Sequence, residues 1–404
     1  MKAINVNLSR HMPVLDGFRG LAILGVIIFH AAAVLRATAP IDDWYFKISR
    51  SMWIGVDLFF VLSGFLITGI LYDAKGGKHF FKNFYARRTV RIFPLYFLVV
   101  AIAVFVLPDL SRHFPELGAK QWWYWCYLSN FLVVKEGFRH LVLGPTWSLA
   151  IEEQFYIVWP LLVYFLSRRA MMSVCILLFA AAAALRWGIY YGGEHVINHI
   201  YVATYTRMDS LACGAFLALA ARGPRGIRAL FPWIWIPFIA CSILGGYFLI
   251  EGDFNKKAPE MIKYGYSLAA LLFGSTIVIA LSRPEGSWVN WLLTRKTLLF
   301  FGKYSYAMYL FNRPLVDLIE ENWFGPNRFP FRLYGSSIPG QIAFTLAILA
   351  ITTIMALLSW HLFEKHFLKL KKYFPQKELP AVELEVKQAP ASNLSIEPAT
   401  ARRA

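Results

Sequence analysis

The sequence predicts an all-α integral membrane bundle of about ten transmembrane helices, with no separate soluble domain. Three observations carry that fold class. Hydrophobic residues make up 58% of the 404-residue chain and charged residues only 16%, at a mean hydropathy of +0.49. Soluble domains carry about 25% charge. Many apolar stretches reach the roughly 20 residues that a helix needs to cross the hydrocarbon core. The basic residues sit in short connections between these stretches, where positive-inside anchoring places them.

The spans are read at 13–35, 53–73, 91–108, 146–166, 170–191, 203–221, 231–250, 262–282, 298–319 and 340–363. The first carries Arg19 and His30 and is followed by no small-residue cleavage site, so it reads as a retained helix. The second opens on Gly55-Val56-Asp57, and the third follows the basic run Arg87-Arg88-Thr89-Val90-Arg91. An eleventh candidate, 121–134, holds Trp122-Trp123-Tyr124-Trp125-Cys126-Tyr127. It is short, and its amphipathic rings suit the headgroup level. The fourth and sixth spans carry Glu152-Glu153 and Arg207-Met208-Asp209, and Asn312-Arg313 interrupts the ninth. The last ends at His361–His366, read as an interfacial cap.

Loop charge chooses between ten crossings and eleven. If 121–134 does not cross, the N-terminus, 74–90, 167–169, 222–230, 283–297 and the C-terminal tail share one side. With them go Lys75, Lys78, Lys82, Arg87, Arg88, Arg168, Arg169, Arg222, Arg225, Arg228, Arg283, Arg295, Lys296, Lys369, Lys371 and Lys372. The opposite loops hold Asp42, Asp43, Glu194, Glu251, Asp253, Glu260, Glu320 and Glu321. That segregation favours ten crossings with both termini in the cytoplasm; eleven is the alternative. Residues 1–373 are expected to form one membrane domain. The Pro/Ala/Glu-rich stretch 374–404 reads as a disordered cytoplasmic tail.

A net charge of +17 invites a nucleic-acid partner. Placement of the bases between apolar runs argues against one and for a lipid bilayer. Cys126, Cys175, Cys213 and Cys241 lie singly within apolar segments without metal or redox spacing, so they read as buried small hydrophobes and no metal is expected.

Polar residues inside spans narrow the function. His30 follows Arg19 by eleven residues; at about 100° and 1.5 Å per residue they share a face, roughly 16 Å apart. An arginine at bilayer depth costs about 2.5–3.5 kcal/mol, so it is expected to face a partner or a substrate. Asp57 reads either as a carboxylate that orients a histidine or pairs with an arginine, or as a helix-start acid. Arg88 and Arg91 lie one turn apart, and with Arg87 they suit a phosphate-rich ligand, or serve as a membrane-edge anchor. Ser148, Glu152 and Tyr156 form one polar stripe, with Glu153 about 100° away. Arg207 and Asp209 suit either glycan hydroxyls or a structural ion pair. Ser63 and Gly64 read as packing residues.

These pieces resemble the membrane-bound acyltransferase 3 family. The match rests on Leu15-Asp16-Gly17-Phe18-Arg19-Gly20 with His30, on Gly55–Phe65, on Arg88-Thr89-Val90-Arg91 and on Thr146–Tyr156. Weaker pieces are Arg207 with Gly214, and Ser305–Leu310. The resemblance implies O-acylation, most often O-acetylation, of cell-surface carbohydrates, with acyl-CoA (acetyl-CoA) as co-substrate. It points to His30 as catalytic residue, with Arg19, Arg88, Arg91 and Glu152 as functional partners. Many members carry histidine where this chain has Asn312, so a role for that histidine does not transfer here.

Acyl transfer to a hydroxyl needs a base for its proton and positive charge at the developing oxyanion. His30 is expected to act as that base or to carry the acyl group transiently, with its tautomer fixed by Glu152, or by Asp57 as second choice. Arg88, Arg91 and Arg87 are expected to hold CoA phosphates, with Arg19 between them and the imidazole. Ser148, Glu153, Tyr156, Arg207, Asp209 and Asn312 are the candidates for acceptor binding. A polytopic transporter of a small polar or anionic solute is the competing class, since ionisable residues along a bundle mark it too. It would normally show an inverted repeat, and no repeat is evident. The expected location is a bacterial inner membrane.

Overall fold

The computed structural model describes residues 11–32, 39–106, 117–138, 143–192, 196–251, 254–256, 258–284, 286–320 and 333–375. The tail from residue 376 and the acidic positions Glu194, Asp253 and Glu321 lie outside the described residues. The chain runs as α1 (Pro13–Ala32), α2 (Pro40–Ser51), α3 (Gly55–Ala74), α4 (Phe80–Phe105), α5 (Leu117–Lys120), α6 (Trp122–Trp125), α7 (Ser129–Glu136), α8 (Thr146–Phe165) and α9 (Arg168–Tyr191). It continues as α10 (Val196–Val202), α11 (Thr204–Ala221), α12 (Phe231–Glu251), α13 (Tyr266–Ser282), α14 (Trp288–Leu293), α15 (Lys296–Ile319), α16 (Ile338–Ser359) and α17 (Lys365–Leu368).

Among the described residues, seven helical stretches are long and apolar enough to cross a membrane. They are Pro13–Ala32, Pro40–Ala74, Phe80–Phe105, Arg168–Tyr191, Phe231–Glu251, Met261–Ser282 and Ile338–Tyr373. Their outer faces are apolar: Trp233, Ile236, Ile243 and Leu177 are all at least 65% exposed. Such a belt suits lipid rather than water, and the chain is an integral membrane protein. The long helices α8, α11 and α15 fall below that apolar threshold because they carry the polar residues singled out above.

Two helix pairs set the frame. α3 packs on α11 through Gly64 and Gly214; a Cβ at either would lie 2.0 Å from a carbonyl oxygen, of Leu211 and Val61 respectively. α1 packs on α15 in the same way through Gly20 and Gly302, against the carbonyls of Leu298 and Asp16. Small residues let backbones approach where no hydrophobic drive separates lipid from side chain. Gly64 thus has the packing role expected of it.

Three features of the elements bear on the site. The segment 121–134 is broken into α6 and α7; the longer, eight residues, extends about 12 Å, well short of a crossing. The third span begins at Phe80 rather than 91, because Lys and Arg are good helix formers. Arg87, Arg88 and Arg91 therefore project from a helix. Asp42, expected in an outer loop, is fully buried in α2 and accepts hydrogen bonds from Ser336 Oγ (2.6 Å), Ser337 N (3.0 Å) and Ser337 Oγ (2.9 Å), which ties α2 to the start of α16. Of the cysteines, Cys175 and Cys241 are buried as expected, Cys213 is half-buried and Cys126 is exposed.

Candidate active site

A partly open cavity lies between α1, α3, α4, α8 and α15. Its basic end is formed by Arg19, Arg88 and Arg91. Its middle holds Glu152, Ser63 and Tyr156: Ser63 Oγ donates to Glu152 Oε1 at 2.6 Å, and the Tyr156 hydroxyl donates to Ser63 Oγ at 3.1 Å. Its far end is closed by Ser148 Oγ and the Tyr309 hydroxyl, 2.6 Å apart, with Phe59 edge-on to the Tyr309 ring. Residues 156, 152 and 148 climb α8 at about 6 Å per step. All three expected stripe residues therefore line one wall.

Arg88 and Arg91 make no hydrogen bond or ion pair among the described residues; the guanidinium of Arg88 lies over the rings of Phe84 and Tyr156, each at 5.8 Å. Arg19 is held by Asp16 Oδ1 at 3.1 Å, one turn away on α1. Half-buried cations without carboxylate partners form a ready anion site.

His30 is not among the cavity-lining residues. Its Nδ1 lies 2.5 Å from Asn312 Oδ1. Asn312 follows the cavity-lining Tyr309 by one turn of α15, about 4.5 Å along the axis. The expected hydrogen bond from Glu152 to His30 is not made: Ser63 takes Glu152, and Asn312 takes His30. Asn312 is fully buried, its amide turned to the imidazole rather than to a ligand surface. Arg313 and Lys256 are the cations that face the ring.

Asp57, the second choice for orienting His30, is engaged elsewhere. Its Oδ1 accepts from Arg207 Nη2 at 2.6 Å and Ser210 Oγ at 3.0 Å. Asp209 pairs with Arg186 at 2.7 Å and accepts from Ser267 Oγ at 2.8 Å. These four charged side chains have no solvent exposure and sum to zero, and the Arg207 guanidinium lies 4.1 Å from the Tyr266 ring centroid. Arg207 and Asp209 are thus each a member of a buried ion pair, with Asp57 and Arg186 respectively. Glu153 also lies off the cavity, buried and facing Glu152 and Arg88 through the protein. Arg87 points away from the other two arginines and donates to the carbonyls of Lys371 (3.2 Å) and Phe374 (2.8 Å). Ser63, Ser305, Tyr306 and Tyr309 line the cavity without having been expected there. They are neutral, and nothing in a single span marks a hydroxyl that faces inward.

A membrane bundle whose cavity has an unpaired cation pair at one end and hydroxyls and a carboxylate along it offers a concave polar site within the helices. Residues 12–361 match the family model described as "Acyltransferase domain", and the chain belongs to that acyltransferase family. It is 27% identical to "O-acetyltransferase OatA" of Staphylococcus aureus (strain NCTC 8325 / PS 47), over 91% of this chain and 60% of that protein. It is 29% identical to "Putative peptidoglycan O-acetyltransferase YrhL" of Bacillus subtilis (strain 168), over 88% of this chain and 55% of that protein. The chain thus spans under two thirds of the length of these curated relatives. No solved structure matches.

Proposed function

We propose that this chain transfers an acetyl group from cytoplasmic acetyl-CoA to a hydroxyl of a cell-surface or lipid-linked carbohydrate, in a bacterial inner membrane. In this reading α1, α3, α4, α8, α9, α11, α12, α13, α15 and α16 cross, both termini are cytoplasmic, and 1–373 is the catalytic membrane domain followed by the tail. The observation that carries it is the cavity with Arg88 and Arg91 unpaired at the end where the basic loops gather. Similarity to an O-acetyltransferase and to a putative peptidoglycan O-acetyltransferase supports O-acetylation and a cell-wall acceptor.

The chemistry follows from the atoms present. The Asn312 amide oxygen only accepts, so His30 Nδ1 bears the proton and Nε2 is the free base. His30 Nε2 removes the acceptor's hydroxyl proton, the oxygen attacks the thioester carbon, and CoA leaves as the thiolate that recovers the proton. For donor and imidazole to meet, the Ser148–Tyr309 pair must part. Glu152, Ser63 and Tyr156 line the path of the pantetheine arm, and Arg19 adds positive charge along it. The test is to incubate membranes with labelled acetyl-CoA and compare the wild type with His30→Ala at matched protein level. Base-labile label on glycan is expected from the wild type only; equal labelling by the variant would remove His30 from the mechanism.

A further inference from the structure

The cation count at the cavity mouth does not end with α4. The two carbonyls that Arg87 holds, of Lys371 and Phe374, fasten the C-terminal helical turn Lys369–Tyr373 against α4. That turn places Lys371 within electrostatic reach of Arg91, Arg88, Arg87 and Arg19, next to the cavity lining rather than in it. The Lys371 ammonium has no hydrogen-bond or ion-pair partner among the described residues, and it is half-buried, whereas Lys369 and Lys372 beside it are exposed. A lysine placed only for membrane anchoring would turn outward as those two do. Like charges gathered this closely repel, unless a polyanion offsets them. Asp16, Glu152, Glu153 and Glu364 lie near the arginines and offset part of this charge, but among the described residues none of them forms an ion pair with Arg88, Arg91 or Lys371. Lys371 also lies beyond residue 361, where the match to the family model ends.

We infer that Lys371 binds the 3′-phosphate of the donor's adenosine moiety, so that the chain selects a CoA thioester over one borne on a single phosphodiester. This deepens the function proposed above and rests on it. CoA brings a pyrophosphate and a terminal phosphomonoester whose charge approaches −2 at neutral pH. Arg88 and Arg91, deeper on α4, meet the pyrophosphate. Lys371, outside the cavity lining on the C-terminal turn, meets the phosphate that stays outermost when the thioester points toward Tyr309. Arg87 acts as a positioning residue, through the backbone that carries Lys371.

The experiment is equilibrium binding of CoA and of dephospho-CoA to the purified full chain in lipid nanodiscs, with acetyl-CoA consumption measured on the same samples. Wild type is expected to bind CoA about tenfold more tightly than dephospho-CoA, the scale of one charge-assisted contact. Lys371→Ala abolishes that preference by weakening CoA alone, Lys371→Arg keeps it, and Lys369→Ala keeps it. A preference retained in Lys371→Ala, or equal weakening of both ligands, overturns the inference while leaving the donor reading intact. A wild type that neither binds CoA nor consumes acetyl-CoA defeats the donor reading and this inference with it.

Discussion

Asp57 separates a structural account of the upper bundle from a catalytic one. In the structure Asp57 and Arg207 are both without solvent exposure and 2.6 Å apart. Removing one partner of a buried pair costs about 3–5 kcal/mol, because the other is left charged and dry. Asp57→Ala takes the Ser210 acceptor away as well, so its effect belongs near the top of that range. Asp57→Asn keeps an acceptor oxygen, and the Tyr266 ring and Asp209 still face the guanidinium, so about 3 kcal/mol is expected. At about 1.4 kcal/mol per decade, that is over a hundredfold in the folded-to-unfolded ratio. Replacing the pair by apolar residues of similar volume is often neutral, so Asp57→Leu with Arg207→Met should regain most of the loss. The assay is the fraction of chain that stays monodisperse in detergent through a heating series, read beside acetyl transfer per folded molecule. Asp57→Asn with unchanged thermal stability and abolished transfer would refute the reasoning. So would a double variant no more stable than the singles.

Two further outcomes follow from the same geometry. Asn312→Ala removes the acceptor that holds His30 Nδ1–H; a lost buried hydrogen bond of about 1–3 kcal/mol corresponds to roughly a 5- to 100-fold fall in kcat. Under the proposed function, initial rates should show KM for acetyl-CoA unchanged, since Asn312 does not line the cavity, and an unaltered kcat would exclude His30 Nε2 as the base. Gly214→Val places carbon 2.0 Å from Val61 O and 2.7 Å from Phe65 N, so α3 and α11 must separate, at about 1–3 kcal/mol or more. Wild-type thermal stability of that variant would contradict the close approach of the two helices.

Much of the cavity was readable from single helices. Ser148, Glu152 and Tyr156 share a wall because residues four apart on a helix always do, and Arg88 and Arg91 point together for the same reason. Arg87, one residue away, is rotated by about 100° and meets the C-terminal carbonyls instead. Arg19 and His30 share a face of α1 as their spacing requires, yet only Arg19 lines the cavity; His30 meets Asn312 of α15 instead.

The long apolar helices were determined by sequence alone, since a run of about 20 apolar residues satisfies its own backbone and matches its own solvent without reference to the rest of the chain. Which polar side chains meet was decided only by tertiary structure. His30 and Asn312 are 282 positions apart, Ser63 and Glu152 are 89 apart, and Asp57 and Arg207 are 150 apart. Each of these groups had several chemically equivalent partners available in the sequence. The choice among them was made by the close helix contacts at Gly20 and Gly302 and at Gly64 and Gly214, because a buried charge or hydroxyl takes the partner that packing places within about 3 Å and loses the others to distance.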